Sequence, residues 1–365
     1  MSFCKLISFG IQGDTWFDEA LREAQKGIGF THPNPPVGCV IIKDKRLIAK
    51  GFHAKAGELH AEAKALELAG EAAHGSTLYV TLEPCNHFGR TPPCTEAIIK
   101  AGVKKVIYGV SDPNPDVTGH GAQILRDAGI EVEKILHPQA EALIQPFAKF
   151  VQKKQPYVLA KIAVSLDGKI AFKSGEKTQI TGPEVAKLVH QMREACDAII
   201  VGSETVLVDN PSLTARFEDR KAVRHPIRIV LDSRLRTHPS HQVYARDGSY
   251  VVHSPRASKA QIDMFKQAGV GCIAAEKSDL LDKLAALGMT SLFLEGGGQT
   301  LTYFLKHNWI DELAWFTGPI LLGNQGVPAI DNLSQQISFK KCEPFQLPSG
   351  PNSVKNPAWL ILSAC

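Results

Sequence analysis

His60, Glu62, Cys85 and Cys94 are the residues of this chain whose types and spacing most directly suggest chemistry. One imidazole and two thiolates form a three-ligand set for zinc, which leaves a fourth position for water and lowers its pKa to about 7. Glu62 stands two residues after His60, and such neighbours diverge by about 200° around a regular helix. The two converge only if His60 lies at the helix's first turn. There Glu62 can take a proton from water and pass it to a leaving amine, as a general acid and base rather than a ligand. An H-x-E element followed by Pro-Cys and a second Cys is the pattern of zinc deaminases acting on nucleobases. In such enzymes the second Cys follows after two residues, whereas here it follows after the eight-residue spacer NHFGRTPP. His87, inside that spacer, competes as a ligand.

A second constellation is the run Gly296-Gly297-Gly298-Gln299-Thr300, which follows the apolar strand SLFLE and precedes a helical pattern. Turns without side chains let backbone N–H groups approach a phosphate, and a helix N-terminus adds a favourable dipole. Leu301 occupies the place where a G-x-G-x-x-G motif needs glycine, so this is not the dinucleotide fingerprint. A tight structural turn explains the run equally well on residues alone.

The elements that position these residues read as two α/β series. Asp14 can cap a helix over 14–27, and 37–43 with 46–52 read as a hairpin. HAEAKALELAG reads as a helix, 77–83 as a buried strand, 94–102 as a helix closed by Gly102, and 104–110 as a strand. A further helix, Gly stop and strand follow in GAQILRDAGIEVE. This order implies a mixed sheet covered by helices, with sites at strand ends. A polar, Pro-punctuated stretch at 150–157 marks a domain boundary, dividing the chain into 1–150 and 151–365. Strands are predicted in the second half near 157–164, 198–202, 227–231, 249–253, 271–274, 291–295 and 311–317. Helices are predicted near 183–195, 258–268, 279–288 and 299–307.

Composition narrows the function classes. With 365 residues, 44% hydrophobic and 21% charged, each half can bury a core. A net charge of +4 is too small for a general nucleic-acid or membrane binder. No apolar run approaches the ~18 residues of a membrane span, and the N-terminus has no secretory cleavage pattern. The eight scattered cysteines fit a reducing compartment rather than a disulfide framework. Cytoplasm is the expected location.

PNPPVG at 33–38, GFHAKAGELHAE at 51–62 and TLEPCNHFGRTPPC at 81–94 resemble the deaminase half of the bifunctional riboflavin biosynthesis deaminase-reductase family. The long spacer ending GRTPPC separates that family from the cytidine, guanine and tRNA-adenosine deaminases. The resemblance implies an N-terminal cytidine-deaminase-like α/β/α domain. It also implies hydrolytic removal of the 2-amino group from 2,5-diamino-6-(5-phosphoribosylamino)pyrimidin-4(3H)-one. His60, Cys85 and Cys94 would bind zinc and Glu62 would shuttle protons. Asn34, His53 and Arg90 match substrate-holding positions. Leu59 stands where the family commonly has Pro.

The resemblance continues through DPNP at 112–115 into the second half. There Lys161, SLDG at 165–168, SGE at 174–176, ETVLVDNPSLTAR at 204–216 and RIVLDS at 228–233 look like the reductase half. It implies a C-terminal dihydrofolate-reductase-like α/β domain that reduces the ribosyl group of the deaminated product to ribityl with NADPH. Ala163, Gln179, Thr205, Asp209, Ser233 and Gly297, Gly298, Gln299, Thr300, Leu301, Thr302 and Tyr303 would lie along NADP. Lys177, Arg193, Leu213, Arg216 and Glu295 would lie along the phosphoribosyl-pyrimidine substrate, with Arg193 and Arg216 as phosphate clamps. The family is typically oligomeric, implying a homo-oligomer. In one motif the family usually reads S-G-E-S-x-W-I-T, and this chain reads SGEKTQIT, with Lys177 for Ser and Gln179 for Trp. The missing Trp surface motivates a second reading, a deaminase whose reductase-like half is inactive. A third is a non-catalytic zinc-stabilised nucleotide or RNA binder, which would need a closed four-ligand site.

Overall fold

The computed structural model describes residues 2–86, 92–114, 120–276, 278–345 and 359–363. The chain divides into two compact units, Met1–Gln155 and Pro156–Cys365.

In unit 1 the order is α1 (Phe3–Phe9), α2 (Trp16–Gln25), β1 (Gly38–Lys43), β2 (Arg46–Phe52), α3 (Ala61–Ala69), β3 (Thr77–Leu82), α4 (Cys94–Lys100), β4 (Lys105–Val110), α5 (His120–Asp127), β5 (Glu131–Lys134) and α6 (Pro138–Lys153). The strands form one sheet in the order β2-β1-β3-β4-β5. β1 is antiparallel to β2 and β3, while β3, β4 and β5 run parallel. Strands buried on both faces need apolar residues at every position, and β1 shows this. Its Cys39 and Ile41 pack with Ala61, Ala65, Ile98 and Leu125 of α3, α4 and α5. Its Val40 and Ile42 face the other way, with Ala20 of α2. Leu6, Phe17, Leu21 and Leu143 of α1, α2 and α6 fill that second face.

The helix cap near residue 14 differs from expectation. Thr15, not Asp14, caps α2: its hydroxyl accepts from Asp18 N at 3.1 Å while the Asp18 carboxylate accepts from Thr15 N at 2.9 Å. This capping box needs an acid three residues after the cap, which Thr15 has in Asp18. Asp14 remains at the exposed entry.

Unit 2 comprises β6 (Tyr157–Val164), β7 (Lys169–Ala171), α7 (Pro183–Ala195), β8 (Ala198–Gly202), α8 (Ser203–Asp209), β9 (Ile227–Leu231), β10 (Ser249–His253), α9 (Lys259–Gln267), β11 (Gly271–Ala274), α10 (Leu280–Ala286), β12 (Ser291–Leu294), α11 (Gly298–Lys306), β13 (Glu312–Thr317), β14 (Val327–Pro328), β15 (Lys341–Phe345) and β16 (Trp359–Ser363). Its main sheet runs β11-β10-β9-β8-β12-β6-β13-β16-β15, and β7 pairs separately with β14. The strands from β11 to β13 are parallel, and β16 and β15 add an antiparallel edge. Strand order reverses around β6 and β12, so a crevice opens beyond their carboxyl ends. Their apolar side chains, with Phe304 and Leu301 of α11, form the core that fixes this end.

Candidate active sites

His60 is the N-cap of α3, with extended backbone (φ −66°, ψ 160°) and a side chain that makes no capping hydrogen bond. The imidazole is therefore available to the thiols, and Glu62 enters the first helical turn beside it. Cys85 follows the end of β3, and Cys94 is the first residue of α4. Two main-chain contacts dock that helix on Cys85: Cys94 N donates to Cys85 Sγ at 3.4 Å, and Thr95 N donates to Cys85 O at 3.2 Å. Gly121 lets α5 close over the preceding residue, because a Cβ there would lie 1.9 Å from the Pro84 carbonyl oxygen.

His60 Nδ1 lies 3.2 Å from Cys94 Sγ and 3.4 Å from Cys85 Sγ, and the three ligand atoms lie within 4.8 Å of one another. Ligands at zinc-like distances around a tetrahedron sit about 3.5 Å apart for an N and S pair. The donor set fits zinc. Among the described residues no other cluster of three or more His, Cys, Asp or Glu side chains could hold a metal.

Charge is shared among these groups. The hydrogen bond between the thiols pushes Cys85 down to about 4, against burial, and pushes Cys94 up. The Cys85 thiolate in turn raises His60. Glu62 is buried, and burial, then the negative charge on Cys85, pushes its carboxyl up to about 7. Its side chain is in hydrogen-bond contact with Cys94.

His53 and Asn34 sit against this cluster. The His53 ring lies edge-on to His60, 5.3 Å between centroids. His53 Nδ1 bonds the Leu59 carbonyl at 3.1 Å and Nε2 lies 3.1 Å from the Asn34 amide nitrogen. These partners require a neutral ring with its proton on Nδ1, consistent with burial holding His53 below its ordinary value. Arg90 and the competing ligand His87 lie outside the described residues.

In unit 2 a cleft of about 1100 Å³ opens at the carboxyl ends of β6, β8, β9 and β12. It brings together Ala163, Gln179, Thr205, Asp209, Gly297, Gly298, Gln299 and Thr300 with Lys177, Arg193, Leu213, Arg216 and Glu295. The glycine run does form the turn into α11, with Gly297 as its N-cap. A Cβ on Gly297 would meet only Thr205 Oγ1, at 3.9 Å. Among the described residues no other atom beyond the chain neighbours lies within 4 Å of that place, so the turn leaves it open to a phosphate. The residues fit NADPH.

Four of the expected cofactor residues are placed elsewhere. Leu301 packs in the core beneath α11. Thr302 is buried, its hydroxyl accepting from Asp331 N at 3.1 Å. The Tyr303 ring sits 4.3 Å from that of His307 and 5.5 Å from that of Trp309. α11 starts at Gly298 and rises about 1.5 Å per residue, so these three sit further along the helix than Gly298 to Thr300 and do not line the cleft. Ser233 is exposed beyond β9 and outside the cleft lining.

Arg193, expected as a phosphate clamp, lines the cleft with its guanidinium engaged by the protein itself. Its Nε and Nη2 each donate to Glu295 at 2.8 Å, and Nη1 donates to the Thr214 carbonyl at 3.1 Å. A partly buried carboxylate engages most of the guanidinium fork, so Arg193 fixes Glu295 and the 212–216 segment. Among the described residues the Arg216 guanidinium makes one hydrogen bond, Nη1 to Ser212 Oγ at 3.3 Å. Although burial opposes it, Arg193 holds the Glu295 carboxyl below its usual range.

Lys161 lines the same cleft without having been given a role, and burial lowers its pKa while Glu295 works the other way. A lone lysine inside the apolar strand YVLAKIAV was the available signal. Arg236 is a further cation there, bonded to Ser203 Oγ at 2.8 Å and Glu204 at 3.1 Å. Of the two departures from the family motif, Lys177 stands close enough to Asp209 to oppose the rise that burial causes in it. Gln179 turns its amide onto the Thr181 carbonyl at 2.5 Å.

Comparisons with known proteins cover both units. Residues 12–110 match the cytidine and deoxycytidylate deaminase zinc-binding region, and residues 156–349 match the RibD C-terminal domain. The riboflavin biosynthesis protein RibD of Aquifex aeolicus is 40% identical over 334 residues, covering 89% of this chain and 93% of the relative. The structure of Acinetobacter baumannii RibD superposes with a TM-score of 0.83 at 37% identity, covering 99% of both chains. A diaminohydroxyphosphoribosylaminopyrimidine deaminase/5-amino-6-(5-phosphoribosylamino)uracil reductase from Thermotoga maritima gives 0.81 at 33% identity, covering 96% of this chain and 98% of that one. With the ligand trio and the cleft already in place, these likenesses show that the chain belongs to the RibD family of riboflavin biosynthesis proteins.

Proposed function

We propose that unit 1 hydrolytically deaminates 2,5-diamino-6-(5-phosphoribosylamino)pyrimidin-4(3H)-one. Unit 2 then reduces the resulting 5-amino-6-(5-phosphoribosylamino)uracil to its ribitylamino form. The protein is a bifunctional deaminase and reductase of riboflavin biosynthesis. The observation that carries the site assignment is the convergence of His60, Cys85 and Cys94 with Glu62 in the first turn of α3. When bound, zinc activates water for attack on the ring carbon and NADPH supplies hydride. The C–O bond forms as the C–N bond breaks. Glu62 accepts the proton that water loses and delivers it to the departing amine, which leaves as ammonia. Asn34, held by His53, presents amide groups to the pyrimidine edge, and Arg90 is assigned to the same substrate. In the cleft, Gly297 and Gly298 cradle the cofactor phosphates, while Arg216 holds the substrate phosphate and Glu295, fixed by Arg193, faces the substrate.

Nothing favours an inactive reductase half, since its cleft is formed and Lys177 and Gln179 both line it. A coupled assay of ammonia release and NADPH oxidation on the diaminopyrimidine substrate tests the whole reading; absence of either activity refutes it. Chelating zinc is expected to stop ammonia release while leaving NADPH oxidation on the deaminated product within about twofold, as for independent sites. Loss of both on chelation would contradict separate sites. Gly297→Ala is expected to raise the NADPH dissociation constant about tenfold, as ~1.4 kcal/mol of lost phosphate contact would. The same variant lowers stability by only ~1 kcal/mol, the usual N-cap effect. Fluorescence titration and thermal unfolding read these separately, and an unchanged affinity would remove the cradle assignment.

No helix among the described residues is long and apolar enough to cross a membrane. The finer reading places the chain in the cytoplasm as a homo-oligomer. Buried reduced thiols at Cys39 and Cys196 and the family resemblance support it, and light scattering of the purified chain tests its oligomeric part.

A further inference from the structure

The 212–217 segment, which carries Arg216, is docked on α7 by two side chains one helical turn apart. Arg193 reaches the Thr214 carbonyl at 3.1 Å, and three residues earlier His190 Nδ1 accepts from the Arg216 backbone N–H at 3.2 Å. Positions i and i+3 share a helix face, so both side chains meet the segment and both line the cleft. The His190 ring also stands at 64° to Phe217, 6.3 Å between centroids. The segment does not take this course from local preference, because Leu213 is held at φ +51°, the left-handed region that a leucine rarely adopts. Its shape therefore depends on what α7 contributes.

We infer that His190 is a positioning residue for the reductase, fixing the main chain at Arg216 so that the guanidinium meets the substrate's phosphate. The role requires a lone pair on Nδ1. Burial, and after it the Arg193 and Arg216 cations, holds His190 below its ordinary value against Glu295 and the Thr214 main chain, which favours the neutral ring. This inference deepens the proposed function and rests on Arg216 being the phosphate holder. His190 itself need not touch the substrate, since it acts through the backbone of a neighbour.

The test compares KM and kcat of the full-length reductase for 5-amino-6-(5-phosphoribosylamino)uracil and for the same compound without its phosphate. In His190→Phe the ring against Phe217 is kept and the acceptor is lost. One lost hydrogen bond is worth a factor of about five to ten. KM for the phosphorylated substrate is expected to rise by about that factor, with kcat within about threefold and KM for the dephosphorylated compound unchanged. His190→Asn, whose amide oxygen can accept from Arg216 N, is expected to restore most of the preference for phosphate. A merely structural role would move both substrates together and would not be rescued by Asn. Arg216→Ala separates the two possible failures. If it abolishes the preference while His190→Phe leaves it intact, the positioning role is wrong. If Arg216→Ala leaves the preference intact, the phosphate assignment is wrong. Should His190→Phe not fold, His190→Gln displaces the acceptor by one bond and is expected to lower the preference where Asn preserves it; equal behaviour of Gln and Asn would overturn the inference.

Discussion

Replacing Glu62 with Gln is expected to cut ammonia release about 10³-fold, within the 10²–10⁴ range that a positioned acid-base group contributes. Zinc content is expected to stay at the wild-type value. The substitution preserves the size of a side chain that is 4% exposed, and Glu62 is not among the three ligand residues. What it removes is a carboxylate able to accept a proton and return it. NADPH oxidation on deaminated substrate is expected to persist, since the reductase cleft is lined entirely by residues of the second unit. Metal analysis and the two activities, measured on one preparation, distinguish the outcomes. Retained deamination within tenfold of wild type would remove Glu62 from the mechanism. Loss of zinc would make it part of the metal site instead.

The geometry behind that prediction was legible from a two-residue spacing. His60 and Glu62 converge only at a helix start, and His60 is indeed the N-cap of α3. Long apolar strands such as β6 and β8 were equally legible, because burial on both faces leaves a continuous apolar run. Some short elements were not, among them the seven-residue helices at Phe3–Phe9 and Ser203–Asp209, although α4 and α10, of the same length, were legible. Strands β7 and β14, of three and two residues, exist through pairing with each other across the chain. The expected NADP block from Gly297 to Tyr303 was continuous in sequence, but α11 carries its last three residues further from its N-terminal end, Leu301 into the core, Thr302 onto Asp331 N and Tyr303 into the aromatic cluster. Arg193 shows a different limit. Its partner Glu295 lies 102 residues away, and spacing alone cannot tell a guanidinium reserved for phosphate from one bound to a carboxylate.

That pair sets the second large expected effect, on stability. Arg193→Met keeps a long side chain on α7 but strands a partly buried carboxylate whose side chain is 17% exposed, and it removes the donor to Thr214 O. Breaking a buried pair from one side typically costs about 3–5 kcal/mol. Lys161 is also near Glu295 and takes up part of the charge, so a loss near ~3 kcal/mol is expected. For a unit of this size that lowers the unfolding midpoint by roughly 10 °C. The sign of the pH dependence follows from the direction of the shift. In the wild type Glu295 is held below its ordinary 4.5, so the pair contributes fully above that value and loses its contribution as pH falls through the lower folded value. In Arg193→Met burial is left to raise Glu295, and the carboxyl sheds its charge on acidification. The stability gap between variant and wild type should therefore narrow from pH 7.5 towards pH 5. Arg193→Met with Glu295→Gln removes the stranded charge and is expected to recover part of the lost stability without recovering reduction. Thermal unfolding of the four proteins of this cycle at both pH values reads the coupling directly. A single variant that loses under 1 kcal/mol, or a double variant no more stable than the single, would show that Arg193 does not hold a buried charge in place.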